Sequence, residues 1–222
     1  MHIYFRIRFP VSAASMLRRK RLYAGVLAIV LCIQSAAGNV RAVVPDSDTY
    51  PEKTELRQFQ HNVLLHNALI AHDHPLVEKF RKQYMSANGY AYLSNIMKRS
   101  APYRDFIIDL LEAENMPAEL LFLPVIESGF FEKATSKSGA VGIWQFMRNS
   151  VGGFNIHIDD WVDERRDPWK TSVAAVKKLK WNYSQFHDWP LALAAYNSGV
   201  GSIRSAIRKA GKADYWYLAE HG

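Results

Sequence analysis

The chain has 222 residues, with 28 Lys and Arg against 21 Asp and Glu, and 49% of its residues are hydrophobic. Seven of the 28 basic residues and none of the acidic ones lie in residues 1–42, so the remainder carries 21 charges of each sign. The excess positive charge therefore does not indicate a nucleic-acid-binding surface, and nucleic acid is excluded from the expected partners. The single cysteine, Cys32, lies in the same segment, which excludes a disulfide framework or thiolate chemistry in the rest of the chain.

Residues 1–42 have the composition of a secretory signal peptide. A basic cluster occupies residues 18–21, an apolar run follows over residues 22–33, and small residues come next. The run is too short for a membrane-spanning helix, which needs about 20 apolar residues. We therefore predict export to the periplasm, with cleavage after Ala37 or after Ala42.

Three alternatives for this segment stay open. Met16 is a second candidate start, because the basic region before the apolar run is long. An uncleaved segment would leave the protein associated with the membrane. Lipidation of Cys32 is disfavoured, because Leu31 stands where a small residue normally precedes a lipid-modified cysteine.

Residues 43–53 are polar and contain Pro45 and Pro51, which is typical of a linker. The remaining segment, residues 54–222, is long enough for one domain with an apolar core. Its apolar residues recur at helical spacing and predict a mainly α fold. They form four groups: Leu56, Phe59, Val63 and Leu64; Tyr103, Phe106, Ile107, Leu110 and Leu111; Val173, Val176, Leu179, Tyr183 and Phe186; and Val200, Ile203 and Ile207.

Prolines mark three predicted helix starts, because the first helical position needs no backbone N–H. They are Pro117, Pro168 and Pro190. Asp167 is predicted to cap the second of these helices. The acidic run over residues 159–164 is expected to be a solvated loop.

The segment Pro117–Ser128 is apolar on every side and yet ends in Glu127. A helix without a polar stripe is typical of a buried element, and a carboxyl group there requires a partner or a purpose. Desolvation disfavours the charged form, which suits a general acid that holds its proton near neutral pH. Pro124 is expected to kink this helix, and Glu119 is expected to complement the helix dipole outside any apolar setting. The alternative for Glu127 is a helix-end residue that turns to solvent.

Three blocks of sequence carry a family resemblance. They are Met116–Ser128, Ser138–Phe146 and Leu193–Gly199, and together they resemble the lytic transglycosylases of the soluble-lytic and goose-lysozyme-like group. Within that group the chain is most similar to the membrane-bound lytic murein transglycosylase D type. The resemblance covers about residues 75–215 and implies a mainly α, lysozyme-like transglycosylase domain.

The resemblance also implies a reaction with Glu127 as the single catalytic acid/base. In this family the acid protonates the β-1,4 glycosidic oxygen between N-acetylmuramic acid (MurNAc) and N-acetylglucosamine (GlcNAc) of peptidoglycan. As a base, it then helps the muramyl 6-hydroxyl attack C1, which leaves a 1,6-anhydro end. A nucleophile carried by the substrate makes the second carboxylate of ordinary glycosidases unnecessary. The expected enzyme is therefore a lyase.

Further site residues follow from the same resemblance. The substrate-binding positions it implies are Ser128, Ser136, Gly142, Gln145, Phe146, Tyr196 and Asn197. Ser136 is expected to orient Glu127, Gly142 to permit close approach of a sugar, and Gln145 to offer an amide to it. Alternatives stay open for several of these positions. Phe146 suits the core equally well, and Ser136 suits an ordinary polar turn. Ser128 could close a helix end, and Tyr196 and Asn197 could cap and pack one.

The expected partners are peptidoglycan glycan strands, with the chain acting as a monomer and proteins of an envelope-assembly machine left open. No cofactor or metal is expected, because the histidines have no cysteine or carboxylate cluster beside them; they are His61, His66, His72 and His74. The sequence departs from the family in lacking C-terminal LysM repeats and in ending at Gly222, where a truncated substrate groove is expected. Two other functions stay open: a goose-lysozyme-like hydrolase and a non-catalytic wall-binding protein.

Overall fold

The computed structural model describes residues 74–221, and this part of the chain is mainly helical, as predicted. Predictions about residues 1–73, including the signal peptide, the linker and the first group of apolar residues, lie outside the described residues. The α-helices are α1 (Pro75–Met85), α2 (Ala87–Ala113), α3 (Leu123–Glu127), α4 (Pro168–Phe186), α5 (Trp189–Ser198), α6 (Val200–Ala210) and α7 (Tyr215–His221). Three 3-10 helices lie between them: Ala118–Phe122, Arg148–Ser150 and Glu164–Arg166.

The ends of α4 and α5 show why these helices begin where they do. Asp167 caps α4 by accepting hydrogen bonds from the N–H groups of Trp169 and Lys170, each at 2.9 Å, which confirms the predicted cap. Asp188 caps α5 by accepting from Leu191 N–H at 2.7 Å. Each helix also has a proline in its first turn, where the missing N–H costs no hydrogen bond.

The core forms where α2, α4 and α5 meet. Helix α4 packs against both other helices, α5 continues into contact with α6, and α2 also contacts α1 and the 3-10 helix Ala118–Phe122. Each large apolar side chain buried there contributes about 1.5–3 kcal/mol to the free energy of unfolding. The largest fully buried side chains are Trp144, Phe122, Phe146, Ile96, Ile107, Leu111, Leu120, Leu121 and Leu123.

The segment Pro117–Ser128 differs from its prediction in two ways. It is not one kinked helix but a 3-10 helix followed by α3, with Pro124 in the first turn of α3. The physical reason is that a proline without an N–H is accommodated more readily by starting a helix than by interrupting one. Glu119 lies in the first turn of the 3-10 helix, as predicted, but its predicted setting outside the apolar part was wrong, because it is 2% exposed.

The two ends of the described chain pack together. His74 caps α1 by accepting from Leu76 N–H at 3.1 Å, and its ring stacks on Trp216 of α7 at a centroid distance of 3.7 Å. The predicted solvated position of His74 was therefore wrong, since only 16% of its side chain is exposed. None of the helices in residues 74–221 combines the length and the apolar character needed to cross a bilayer.

Candidate active site

Glu127 is the last residue of α3 and lies half-buried at the edge of the core. Directly after Ser128, two residues with positive φ turn the chain away, Gly129 at 61° and Phe130 at 58°. A positive φ is unfavourable for a phenylalanine, so the surrounding contacts must hold this turn. Arg99 of α2 is one of them, because its Nε donates to the carbonyl oxygen of Gly129 at 2.9 Å.

A tight turn carries the second sequence block against this helix end. Backbone hydrogen bonds run in both directions between Val141 and Phe146, at 3.0 and 3.1 Å, and close the turn. Inside it, Gly142 and Gln145 have φ angles of 81° and 52°. The side-chain amide of Gln145 donates to the carbonyl oxygen of Gly142 at 2.9 Å, so Gln145 stabilises its own turn.

Side chains from α4, α5 and the end of α3 fasten this turn in place. The hydroxyl of Ser128 donates to the carbonyl oxygen of Ile143 at 2.8 Å. The hydroxyl of Tyr196 donates to the carbonyl oxygen of Trp144 at 2.9 Å. The indole N–H of Trp144 donates in turn to the hydroxyl of Ser172 at 2.9 Å. Residues predicted to bind substrate therefore also fix the loop that lies beside Glu127.

A buried arginine holds the same loop from the other side. Arg165 is 7% exposed, and its Nη1 donates to the carbonyl oxygens of Gly139 and Phe146 at 3.0 and 3.2 Å. Its Nε and Nη2 donate to the two carboxylate oxygens of Asp163 at 2.8 and 2.6 Å. Residues 159–162 are exposed, as predicted for a solvated loop, whereas the prediction is wrong for Asp163, which is half-buried and paired with Arg165. Hydrogen bonding to Arg165 holds the pKa of Asp163 below its ordinary value of 3.8.

A lysine completes the charged groups around Glu127. The ammonium of Lys178, in the middle of α4, lies 5.2 Å from the ring centroid of Tyr196 and 5.5 Å from that of Phe146. Burial lowers the pKa of Lys178, and the negative charge of Glu127 partly opposes that effect. Burial also raises the pKa of Tyr196 well above its ordinary value of 10.0, with a further contribution from Glu127. Lys178 lies over the ring of Tyr196, and Tyr196 binds the turn that Ser128, the residue after Glu127, also binds, so the three side chains belong to one site.

The other predicted residues have different surroundings. Ser136 accepts from Ala140 N–H at 3.0 Å and pairs with Ser138 at 3.0 Å, so its hydroxyl acts within its own turn and its bond to Glu127 stays a prediction. Phe146 is 1% exposed and belongs to the core, which is one of its two predicted places. The side chain of Asn197 has no hydrogen-bond partner within residues 74–221 and keeps its donors and acceptor available for a ligand.

The glycine at position 142 is required for a reason that the sequence did not show. A Cβ atom there would lie 1.9 Å from the carbonyl oxygen of Arg165. The backbone that approaches Gly142 closely is thus that of a neighbouring segment of this chain. Its predicted contact with a sugar stays a prediction.

Lys178 and Arg165 were missed at the level of sequence, although one of them has a visible signal. Lys178 falls on the same helical stripe as Ala175, Leu179 and Asn182, which are 0%, 0% and 1% exposed. A lysine on a stripe that faces the core is unusual and indicates a special environment. Arg165 gives no such signal, because the carbonyl oxygens that it binds lie 19 and 26 residues away along the chain.

No metal centre is formed by the part of the chain that the structure describes. Within residues 74–221, no group of three or more His, Cys, Asp or Glu side chains lies close enough to hold a metal ion.

The helical core, the short helix that presents Glu127 and the loop fastened beside it define a lysozyme-like domain. Residues 106–219 match the family model described as the transglycosylase SLT domain. The chain belongs to this family, which confirms the predicted fold class and family resemblance.

Three relatives extend the comparison. The chain is 35% identical over 133 residues to membrane-bound lytic murein transglycosylase D of Escherichia coli (strain K12) and, with the same values, to its namesake in Escherichia coli O6:H1. A protein of Alteromonas sp. (strain M-1) named for resistance to tributyltin chloride is 36% identical over 129 residues. These matches cover 58%, 58% and 56% of this chain. They span only 29% of each Escherichia coli protein and 62% of the Alteromonas protein.

Proposed function

We propose that this protein is a peptidoglycan lytic transglycosylase that cleaves the MurNAc–GlcNAc β-1,4 bond with Glu127 as its single acid/base. The observation that carries the proposal is the position of Glu127, half-buried at the end of α3 and close enough to affect both Lys178 and Tyr196. Membership of the transglycosylase SLT domain family supports it. So does the name of the Escherichia coli relatives, which describes action on murein.

The reaction needs one proton to leave Glu127 and one to return. The protonated carboxyl group donates to the glycosidic oxygen as the bond from that oxygen to C1 of the muramyl residue breaks. The resulting carboxylate then accepts the proton of the muramyl 6-hydroxyl while the oxygen of that hydroxyl bonds to C1. No water is consumed, and the intramolecular nucleophile has the rate advantage of a unimolecular step.

One carboxylate is sufficient for this sequence of steps, and the electrostatics of the site agree with it. Glu127 is the one carboxylate whose charge affects the pKa of Lys178 and of Tyr196 among the described residues. A hydrolase that activates a water with a second carboxylate would place the two carboxyl groups about 6.5–9.5 Å apart when it inverts configuration. The proposed reaction needs no such second carboxylate, because its nucleophile is a hydroxyl group of the muramyl residue itself.

The place of action proposed for the protein is the periplasm, where peptidoglycan strands are accessible. This proposal rests on the signal-peptide composition of residues 1–42. The expected substrate is the glycan strand itself, and the expected active form is a monomer without cofactor. Partners in an envelope-assembly machine are a further proposal that the wall substrate suggests.

Identification of the product ends tests the proposed reaction. The purified full-length chain is incubated with purified peptidoglycan, and the released muropeptides are identified by mass spectrometry. We expect 1,6-anhydro ends, which are lighter than reducing ends by one water. Reducing ends would identify a hydrolase, and the absence of any cleavage would favour a non-catalytic wall-binding protein.

A further inference from the structure

Lys178 places a charged side chain on a mostly buried face of α4. It is half-buried on the face of α4 that carries Ala175 and Leu179, both 0% exposed. Lysine is rarely placed on such a face unless its charge is compensated or used. Its neighbour Lys177 is exposed and illustrates the ordinary place of a lysine on the same helix.

The ammonium group of Lys178 keeps its hydrogen-bonding capacity. It forms no ion pair and no hydrogen bond with any residue between 74 and 221, and its close contacts are with the rings of Phe146 and Tyr196. A cation over an aromatic face is stabilised by the ring quadrupole, which leaves N–H donors available for an acceptor. The two rings therefore hold an ammonium whose donors remain free for a ligand.

The position of this ammonium relative to Glu127 limits what the ligand is. Phe146 ends the turn whose Ile143 carbonyl oxygen accepts from Ser128, the residue after Glu127, and Tyr196 binds the same turn. The two rings therefore hold Lys178 on the part of the site next to Glu127, where a sugar bound at Glu127 reaches it. Such a sugar excludes water from the site and removes the hydration of the ammonium. An anionic group on that sugar would compensate the charge, whereas a neutral group in the same place would not.

The muramyl residue carries one acidic group on the sugar itself. Its lactyl ether ends in a carboxyl group, which is an uncharged amide where a peptide is attached and a carboxylate where the peptide has been removed. On the basis of the proposed function, we infer that Lys178 is a specificity-determining residue that binds the free lactyl carboxylate of a peptide-free muramyl residue. The chain consequently prefers glycan strands that have lost their peptides.

A matched pair of glycans tests this inference without turnover. One is a muramyl-containing tetrasaccharide with free lactyl carboxylates, and the other is the same tetrasaccharide with these groups converted to methylamides. Binding of each is measured by calorimetry to the full-length chain carrying Glu127→Gln, so that neither glycan is consumed. We expect tighter binding of the carboxylate glycan, with a difference that decreases as salt is added.

Substitution of Lys178 in the same chain assigns the preference to its charge. Lys178→Met should weaken binding of the carboxylate glycan about tenfold, the order expected for one close charge pair, and leave the methylamide glycan unchanged. Lys178→Arg should retain most of the preference, and the matched control Lys177→Met should retain all of it. Thermal melting of each variant verifies that the chain is folded.

The outcomes separate this inference from the proposed function. A carboxylate preference that survives Lys178→Met, or an equal loss for both glycans, would overturn the role of Lys178. Binding of the same tetrasaccharide with its peptides attached is measured as well, and a larger effect of Lys178→Met on this glycan than on the carboxylate glycan would assign the ammonium to a peptide carboxylate and would equally overturn the inference. Failure to bind either glycan would count against the proposed function itself, whereas a hydrolytic product would alter the reaction and leave the binding result standing.

Discussion

Two glycines in the loop beside Glu127 have the same backbone conformation in different surroundings. The φ angles are 85° at Gly139 and 81° at Gly142, in a region that any other residue enters at a cost of about 1–2 kcal/mol. A Cβ atom on Gly139 would meet nothing within 4 Å, whereas one on Gly142 would lie 1.9 Å from the carbonyl oxygen of Arg165. Substitution of Gly139 therefore measures the cost of backbone strain alone, and substitution of Gly142 measures that cost together with a steric clash.

We predict that Gly142→Ala destabilises the chain more than Gly139→Ala does. Gly139→Ala should lower the free energy of unfolding by about 1 kcal/mol, and Gly142→Ala by at least about 3 kcal/mol, because the backbone of Arg165 must move as well. For a chain of this size, each kcal/mol corresponds to about 2–4 °C in Tm. Thermal melting measures both, and equal Tm values would contradict the close approach at position 142.

At the scale of elements, the segment that contains Asp163 and Arg165 stabilises the position of the loop beside Glu127. Its arginine joins two carbonyl oxygens of that loop, and its aspartate neutralises the arginine. Removal of one partner of a buried pair leaves the other charge uncompensated, which costs more than the pair itself contributes. The stability of this segment should therefore depend on the charge of Asp163.

The pH dependence of stability tests this dependence through Asp163→Asn. The pKa of Asp163 is lowered from 3.8 in the folded chain, so its ionised form stabilises the fold above about pH 4. This stabilisation is lost as the pH falls through the folded-state pKa. The variant should be less stable than the wild type at neutral pH, by about 2 kcal/mol, and the difference should shrink in acid.

Urea denaturation at several pH values measures this difference. The exposed Asp160→Asn is the matched control, because Asp160 forms no ion pair within the described residues and should change stability little at any pH. Asp159 and Glu164 also have lowered pKa values, and their contribution is common to both variants. A constant difference between Asp163→Asn and wild type across pH 2–7 would contradict the role of the Asp163 charge.

The segment that ends in Glu127 shows which structural features local sequence predicts correctly and which it does not. Its apolar composition correctly indicated burial, since every residue from Ala118 to Val125 is buried. The predicted kink at Pro124 was wrong, because a new helix starts there instead, which a proline permits equally well. The choice depends on how Leu120–Leu123 pack into the core, which local propensity does not contain.

For the whole molecule, the sequence was sufficient for the helical class, for two helix starts and for the residues that carry the family resemblance. It was not sufficient for contacts between distant segments. The bond from Arg165 to Gly139 spans 26 residues, and that from Tyr196 to Trp144 spans 52. Such pairs depend on how α4 and α5 pack against the loop, which no local pattern encodes.

Export is predicted to remove the N-terminal signal peptide from the chain. If residues 1–42 hold a cleaved signal peptide, the mature protein begins after Ala37 or after Ala42 and carries an excess of at most one positive charge, that of Arg41. N-terminal sequencing of the protein extracted from the cell envelope measures this directly. A protein that still begins at Met1 or at Met16 would contradict cleavage and favour an uncleaved anchor.

The central claim is that Glu127 alone transfers the protons of the reaction, and release of anhydromuropeptides by Glu127→Gln tests it most directly. An amide retains the size and hydrogen bonding of the side chain but has no transferable proton. General acid–base assistance is commonly worth ~10²–10⁴ in rate, and one residue performs both halves here, so the loss should reach the top of that range.

The measurement compares the wild type, Glu127→Gln and the control Glu132→Gln, an exposed glutamate five positions further along the chain. Anhydromuropeptides released from purified peptidoglycan are quantified by mass spectrometry, and the Tm of each protein is measured. We expect near-complete loss for Glu127→Gln with a Tm equal to or above that of the wild type, since an amide costs less to bury than a carboxylate. Near-normal release by Glu127→Gln, or a loss that accompanies unfolding, would contradict the assignment of Glu127 as the catalytic acid/base.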